Sequence, residues 1–491
     1  MKKAYLAVLG LVAVTLASCG GTTSTGTSTG GESTSTETST DIVQPAGTKE
    51  IQFWHCIGHD KMKNLQRIVD QFNNAHASTD GYYVKPYQIA GSYDALHDSV
   101  KTKLNAGFVP SITMGYPDSF AEYIGSQGAS KSKILNLSSF ISSDTSFKPS
   151  EFVPQYYNEG SGYQYEGVYS LPLYKSTEVM YYNKTMFEGS KFYAANKDKT
   201  YGSYSAKLGD PSTWDWDTLT YVAGEIQAEY KTTSDFHALG YDSDSNLFIS
   251  QMAQRNIPYT TASGTKADHF LFVDTATAKP NADLLSFSQN IYNLTTAGSL
   301  VTQGSYGSYA SDLFLKKKVM FTIGSTGGSA YNEPGNSFDC GLTTVPTYQN
   351  TNKYIMQGPS LCFFNTSNTA KEAASWEFYS KYISDATLNA QLALENSYDP
   401  VKTSSYDTDD YKDWIADGRD SDGNEDVTAE LQYRIPALTS TLKDNYITSP
   451  VFIGSSTART QIGSIIKYAK EQNGDVSKAI IQAYSNCVLN S

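Results

Sequence analysis

Between Ile51 and Phe72 the hydrophobic period changes once, and that change sets the kind of layer the chain builds. Ile51 and Phe53 alternate with Gln52 before Trp54-His55, the period-two pattern of a strand. Gly58 interrupts, and Met62, Leu65, Ile68, Val69 and Phe72 then fall on one helical face. A strand, a glycine turn and an amphipathic helix together open an α/β layer. The theme recurs. Leu96, Val100 and Leu104 mark a helix ending near Gly107 and Pro110, followed by a strand at Ile112–Gly115. Residues 179–182, 319–323 and 361–364 read as buried strands. Helical faces are predicted at Leu219, Val222, Ala223, Ile226 and Tyr230, and at Ala373, Trp376 and Ile383. Residues 403–430, dense in Asp and Gly, read as an exposed, solvated excursion.

Residues 1–19 have a different grammar. Lys2 and Lys3 precede a short apolar run, the pattern of a secretory signal and too short to span a bilayer, which takes about 20 apolar residues. Leu16-Ala17-Ser18-Cys19 resembles a bacterial lipobox, which implies cleavage before Cys19 and lipidation of its sulfur. Residues 20–48 are rich in Gly, Ser and Thr and cannot bury enough surface to offset their ordering entropy. As a flexible tether they reach about 30 Å on average. The chain is thus expected outside the cytoplasm, anchored to the membrane by lipid.

The rest of the chain exceeds one ordinary core, so two lobes are expected. A net charge of −13 excludes a nucleic-acid partner, because neutralising phosphates needs clustered Lys and Arg. The 37 tyrosines suit amphipathic ligands such as sugars, although Tyr also fills strand surfaces. Cys56, Cys340, Cys362 and Cys487 lack close-pair spacing and read as free thiols. No metal or cofactor is implied: His55 and His59 straddle Gly58, and Asp420-Ser421-Asp422-Gly423 lacks the ligands that complete a calcium loop.

Several segments, in order, resemble the family 1 extracellular solute-binding proteins of carbohydrate-type ABC importers. They are Ile51-Gln52-Phe53-Trp54-His55, Gly91-Ser92-Tyr93-Asp94, Tyr116-Pro117-Asp118-Ser119-Phe120-Ala121-Glu122-Tyr123 and Leu171-Pro172-Leu173-Tyr174-Lys175-Ser176-Thr177. Tyr181-Tyr182-Asn183-Lys184, Met320-Phe321-Thr322-Ile323-Gly324-Ser325, Gln357-Gly358-Pro359-Ser360-Leu361 and Ser397-Tyr398-Asp399-Pro400 complete the set. The resemblance implies a two-lobed, type II periplasmic-binding-protein-like α/β fold with the ligand cleft between the lobes. It places residues 49–172 and 351–398 in the first lobe, and 173–350 and 399–491 in the second. It also implies a monomer that captures a small molecule and docks on a membrane permease.

Members that hold glycerol 3-phosphate are the most similar. They grip the phosphate with two serines, a glycine amide, a tyrosine and an arginine, at positions that match Ser176, Ser325, Gly358, Tyr398 and Arg459 here. Tyr93 matches a further ligand-contacting tyrosine. The match departs where those members have Tyr-Glu, since this chain has Tyr116-Pro117 with Asp118 next. It departs again at a stacking tryptophan, where Tyr241 stands here, followed by Asp242. Asp118 and Asp242 are expected to accept hydroxyl protons in its place. The departures leave a phosphodiester or a neutral sugar open as ligand. A surface-anchored carbohydrate-active enzyme is the rival class, although the familiar hydrolase motifs are missing.

Overall fold

The computed structural model describes residues 48–125, 131–262, 266–417 and 430–490. The signal segment, Cys19, most of the tether and the Asp420–Gly423 stretch lie outside the described residues. Ten strands build two five-stranded sheets: β1 (Glu50–His55), β2 (Tyr83–Gln88), β3 (Ile112–Gly115), β4 (Leu171–Pro172), β5 (Glu178–Asn183), β6 (His237–Tyr241), β7 (Leu300–Thr302), β8 (Val319–Ser325), β9 (Cys340–Thr344) and β10 (Ser360–Phe363). The helices of eight residues or more are α1 (Lys63–His76), α2 (Tyr93–Asn105), α3 (Pro117–Ile124), α4 (Trp216–Glu229), α5 (Asp244–Gln254), α6 (Ala282–Thr296), α7 (Thr369–Glu377), α8 (Ala386–Glu395), α9 (Asp409–Asp417), α10 (Glu430–Thr439), α11 (Ser455–Glu471) and α12 (Val476–Asn490).

The first sheet runs β2-β1-β3-β10-β4, with β1 parallel to β2 and β3, and β10 antiparallel to its neighbours. The second runs β7-β6-β8-β5-β9, parallel from β7 through β8 and antiparallel beyond. Each is an α/β layer. β1 is buried along its whole length, so its alternation does not mean one wet face. Ile51 and Phe53 pack into the core, each stabilising the fold by about 1.5–3 kcal/mol relative to exposure. The other face is a polar ladder in which Trp54 Nε1 donates to Gln52 Oε1 (3.3 Å) and Gln52 Nε2 to Glu50 Oε1 (3.0 Å).

Three segments pass between the sheets and hydrogen-bond to one another. Lys175 N donates to Asp399 O (2.9 Å), Ser176 N to Gln357 O (2.9 Å) and Gln357 N to Ser176 O (2.8 Å). The chain therefore crosses after β4, returns before β10 and leaves the first sheet again after α8. That is the two-lobed fold.

The predicted strands and helical faces are present, with one change of geometry: the face containing Trp376 and Ile383 divides into α7 and a π turn at Phe378–Ile383. The solvated reading of 403–430 needs correction over 409–417, while residues 418–429 lie outside the described residues. Asp409–Asp417 is a helix that packs Tyr411 and Trp414 against Ala390 and Leu394 of α8. Asp409 and Asp413 are exposed, Asp410 accepts from Gln391 Nε2 of α8 (3.0 Å), and an aromatic pair spaced by three residues holds the helix down. None of Cys56, Cys340, Cys362 and Cys487 is in a disulfide.

Candidate functional site

The first wall of the cleft comes from the turns after β2 and β3. Ser92 caps α2, its side chain accepting from Ala95 N, and so sets Tyr93 in the first helical turn. β3 runs through Gly115 into Tyr116, and Pro117 starts α3 with its ring where no amide partner is needed. The Tyr93 and Tyr116 rings lie 4.6 Å apart. Asp118, one residue into α3, accepts from Ser119 N (3.0 Å). Burial raises its carboxyl above the ordinary range, opposed mainly by the positive charge of Arg459.

The crossing segments form the floor. Gly358 has a φ of +97°, and a Cβ there would stand 2.8 Å from Tyr174 O and 3.2 Å from Ser176 N. Only glycine brings that backbone against the neighbouring crossing strand without strain. Ser176 is buried beside it. The Tyr398 ring packs against Tyr174 with centroids 4.4 Å apart at a tilt of 38°, and its hydroxyl lies 3.4 Å from that of Tyr93. Lys175, fully buried, bridges Glu159 and also donates to Gly358 O (3.2 Å) and Ser360 Oγ (3.0 Å). Burial raises the Glu159 carboxyl, the adjacent Lys175 pulls it back, and Asp118 raises it further.

The second lobe contributes Arg459. Four residues on along α11, Gly463 lies so close to α5 that a Cβ would sit 2.7 Å from Ser245 N. That helix approach puts Arg459 Nη2 in hydrogen-bonding contact with Asn246 Oδ1. Asn246 Nδ2 in turn donates to Glu178 Oε1 (2.8 Å), and Tyr241 Oη donates to the other Glu178 oxygen. Burial pushes Glu178 up to about 7 despite these donors and Arg459. Where the walls meet is a pocket of about 60 Å³, lined among others by Tyr116, Asp118, Glu159, Gln357 and Arg459.

Tyr93, Asp118, Ser176, Gly358, Tyr398 and Arg459 are thus brought to one interlobe region. Ser325 ends β8 on the opposite wall, and Gly327, two residues on, packs so tightly under Tyr398 that a Cβ would stand 2.7 Å from its hydroxyl. Tyr241 and Asp242 are placed differently from the expectation. Tyr241 is fully buried behind the wall, its hydroxyl taken by Glu178. Asp242 accepts from Ser311 N (2.9 Å) at the start of the helix Ala310–Leu315. Both belong to the scaffold of the second lobe.

Sequence reasoning missed Glu159, Glu178, Asn246 and Cys56. Cys56 follows β1 among the cleft tyrosines, and burial pushes its thiol up to about 12. Its position after a strand that feeds the cleft was the available signal. Glu159 and Glu178 carried none, because each is defined by a partner distant in sequence.

Two α/β lobes, three hydrogen-bonded crossings and a pocket between them that carries Asp118, Glu159 and Arg459 are the architecture of a solute-binding protein. Residues 67–417 match the family described as bacterial extracellular solute-binding protein, and the chain belongs to that family. Its members serve carbohydrate-type ABC importers as binding proteins. The sn-glycerol-3-phosphate-binding periplasmic protein UgpB of Agrobacterium fabrum is 23% identical over 379 residues, spanning 73% of this chain and 75% of the relative. UgpB from Mycobacterium tuberculosis in complex with glycerophosphocholine superposes with a TM-score of 0.65 at 16% identity, covering 90% of this chain and 99% of the other. An ABC substrate-binding protein from Listeria monocytogenes in complex with cycloalternan gives 0.63 at 15% identity, covering 89% and 97%. The structural likenesses carry the fold. Among the described residues no helix is long and apolar enough to cross a membrane.

Proposed function

We propose that this chain is the lipid-anchored substrate-binding subunit of an ABC importer, and that its cleft takes a glycerol-phosphate ester, either a monoester or a diester. The observation that carries the ligand class is the state of Arg459. Its guanidinium lines the pocket and bonds the neutral Asn246, and among the described residues it forms no ion pair. A planar cation left with donors to spare binds a phosphate through two oxygens at once. Ser176, Ser325 and the amide of Gly358 supply further donors, Tyr93 and Tyr398 an aromatic face, and Asp118 an acceptor for glycerol hydroxyls. Ligands named for the relatives, glycerol 3-phosphate and glycerophosphocholine, fit that chemistry.

The jaws are residues 49–172 with 351–398 and residues 173–350 with 399–491, except that the stretch through α9 travels with α8. Closure around the solute presents a monomeric, loaded form to the permease, and the ligand favours that form by binding it more tightly. Lipidation at Cys19 keeps the body within reach of the membrane. A neutral oligosaccharide is the second reading, favoured by the two carboxylates, Asp118 and Glu159, in one pocket.

Calorimetric titration with sn-glycerol 3-phosphate, glycerophosphocholine and neutral oligosaccharides, with chromatography of the mixtures afterwards, tests the proposal. One equivalent of an ester bound and recovered intact supports it. Binding of sugars alone favours the second reading, and turnover of any of them contradicts a binding role.

A further inference from the structure

A cavity of about 1360 Å³ lies wholly on the second lobe, apart from the interlobe pocket. Its walls are the hairpin formed by Thr200–Tyr201 and Ala206–Lys207, the helices α4, α5 and α6, and the loop at Tyr348 and Gln349. Small-molecule sites usually enclose about 300–1,000 Å³. The volume suits an oligomer better than a single small solute.

Its chemistry is specific. The rings of Tyr201 and Tyr221 stack at 4.1 Å and 3°, while Tyr201 stays 36% exposed and the neighbouring Tyr204 44% exposed. This is an aromatic platform that the fold leaves partly uncovered. Facing the same cavity, the Arg255 guanidinium lies 4.0 Å from the Tyr348 ring centroid and 5.2 Å from that of Phe287. It donates to Gln251 O of its own helix (3.3 Å), and among the described residues it forms no ion pair. A guanidinium carries five N–H donors, so this one has donors left for a ligand. Asp217 at the start of α4 and Asp283 at the start of α6 also line the cavity and offer acceptors.

We infer that this cavity is a second binding site, for a neutral oligosaccharide. A tyrosine face takes the C–H side of a pyranose ring, while a planar donor and flanking carboxylates take its hydroxyls. Three carboxylates, Asp215, Asp217 and Asp283, against one guanidinium disfavour an anion. The site stands apart from the cleft and owes nothing to the ligand proposed there. It gives the protein a hold on a glycan beside the solute it carries.

The test is titration of maltotetraose and cellotetraose into the intact protein, read by calorimetry and by saturation-transfer NMR. At least one tetrasaccharide binds saturably. Its affinity falls about tenfold in Tyr201→Ala and in Arg255→Gln, a loss of about 1.4 kcal/mol, and is unchanged in Arg459→Ala. Tyr201 sits on an exposed hairpin, so its truncation leaves the fold intact, as the melting temperature reports. Tyr204→Ala provides a second surface variant expected to weaken binding. If neither tetrasaccharide shows Tyr201-dependent binding up to about 20 mM, the inference is overturned. Binding that survives Tyr201→Ala and is lost in Asp118→Asn assigns the sugar to the cleft and overturns it equally.

Discussion

The hydroxyls of Tyr93 and Tyr398 meet at 3.4 Å, although Tyr93 opens a helix of the first lobe and Tyr398 lies on the third crossing segment. Tyr398 also rests on the backbone of Gly327 in the second lobe. One aromatic pair therefore touches both walls and the hinge. A hydrogen bond of this kind contributes about 1 kcal/mol net, or about fivefold in a coupled equilibrium. Tyr93→Phe and Tyr398→Phe are each expected to weaken glycerol-phosphate binding about fivefold, and the double variant no more than either alone. Calorimetric titration of all four proteins checks this. Additive losses would show that the two hydroxyls act independently.

Arg459 discriminates between the ligand classes. Its replacement by Ala is expected to weaken a phosphate ester by about 2–5 kcal/mol, the range for removing one partner of a buried charged pair. The same change leaves a neutral sugar nearly unaffected. Competition binding on the variant reads the difference, and an unaltered phosphate affinity dismisses the phosphate reading.

Gly358 is a backbone prediction. With φ at +97° and Tyr174 O 2.8 Å from the position of a Cβ, Gly358→Ala must move one crossing strand from another. A loss of about 2 kcal/mol or more in folding stability is expected. Urea unfolding should show a lower midpoint with an unchanged slope. A midpoint equal to that of the parent protein would mean that the crossings tolerate the side chain.

Glu178 and His55 give stability a pH dependence of opposite sign. Burial carries Glu178 from 4.5 up to about 7, so across that interval the folded protein keeps a proton that the unfolded chain has lost. Stability from this group is therefore full at low pH and falls as pH rises towards 7. Burial takes the His55 imidazole from 6.5 down to about 4, so its contribution falls as pH drops through that window. Glu178→Gln should gain up to about 3 kcal/mol relative to the parent between pH 4.5 and 8. Urea unfolding at the two pH values measures it, and parallel profiles would contradict the assignment.

The layers were legible because burial writes itself as period. Ile112–Gly115 ends where its apolar run meets Tyr116-Pro117, and the helical face from Leu65 to Phe72 is buried as spaced. The second lobe's share of the site was harder to read. Tyr241 closes β6 and Asp242 follows at a strand end, where a half-turn of backbone decides between cleft and core. One went to Glu178 and the other to the Ser311 amide. The Asp-rich stretch hid Tyr411 and Trp414, since acids dominate its composition while two rings decide its packing. Glu159 with Lys175 and Glu178 with Asn246 are pairs formed only in space, and neither spacing nor residue type announced them.

Amide hydrogen exchange with and without saturating sn-glycerol 3-phosphate tests most directly whether solute is held between the lobes. Protection is expected to rise together in residues 116–119 of the first lobe, 357–359 of the crossing and 455–460 of the second lobe. Protection confined to one lobe, or gained outside all three segments, would contradict the account.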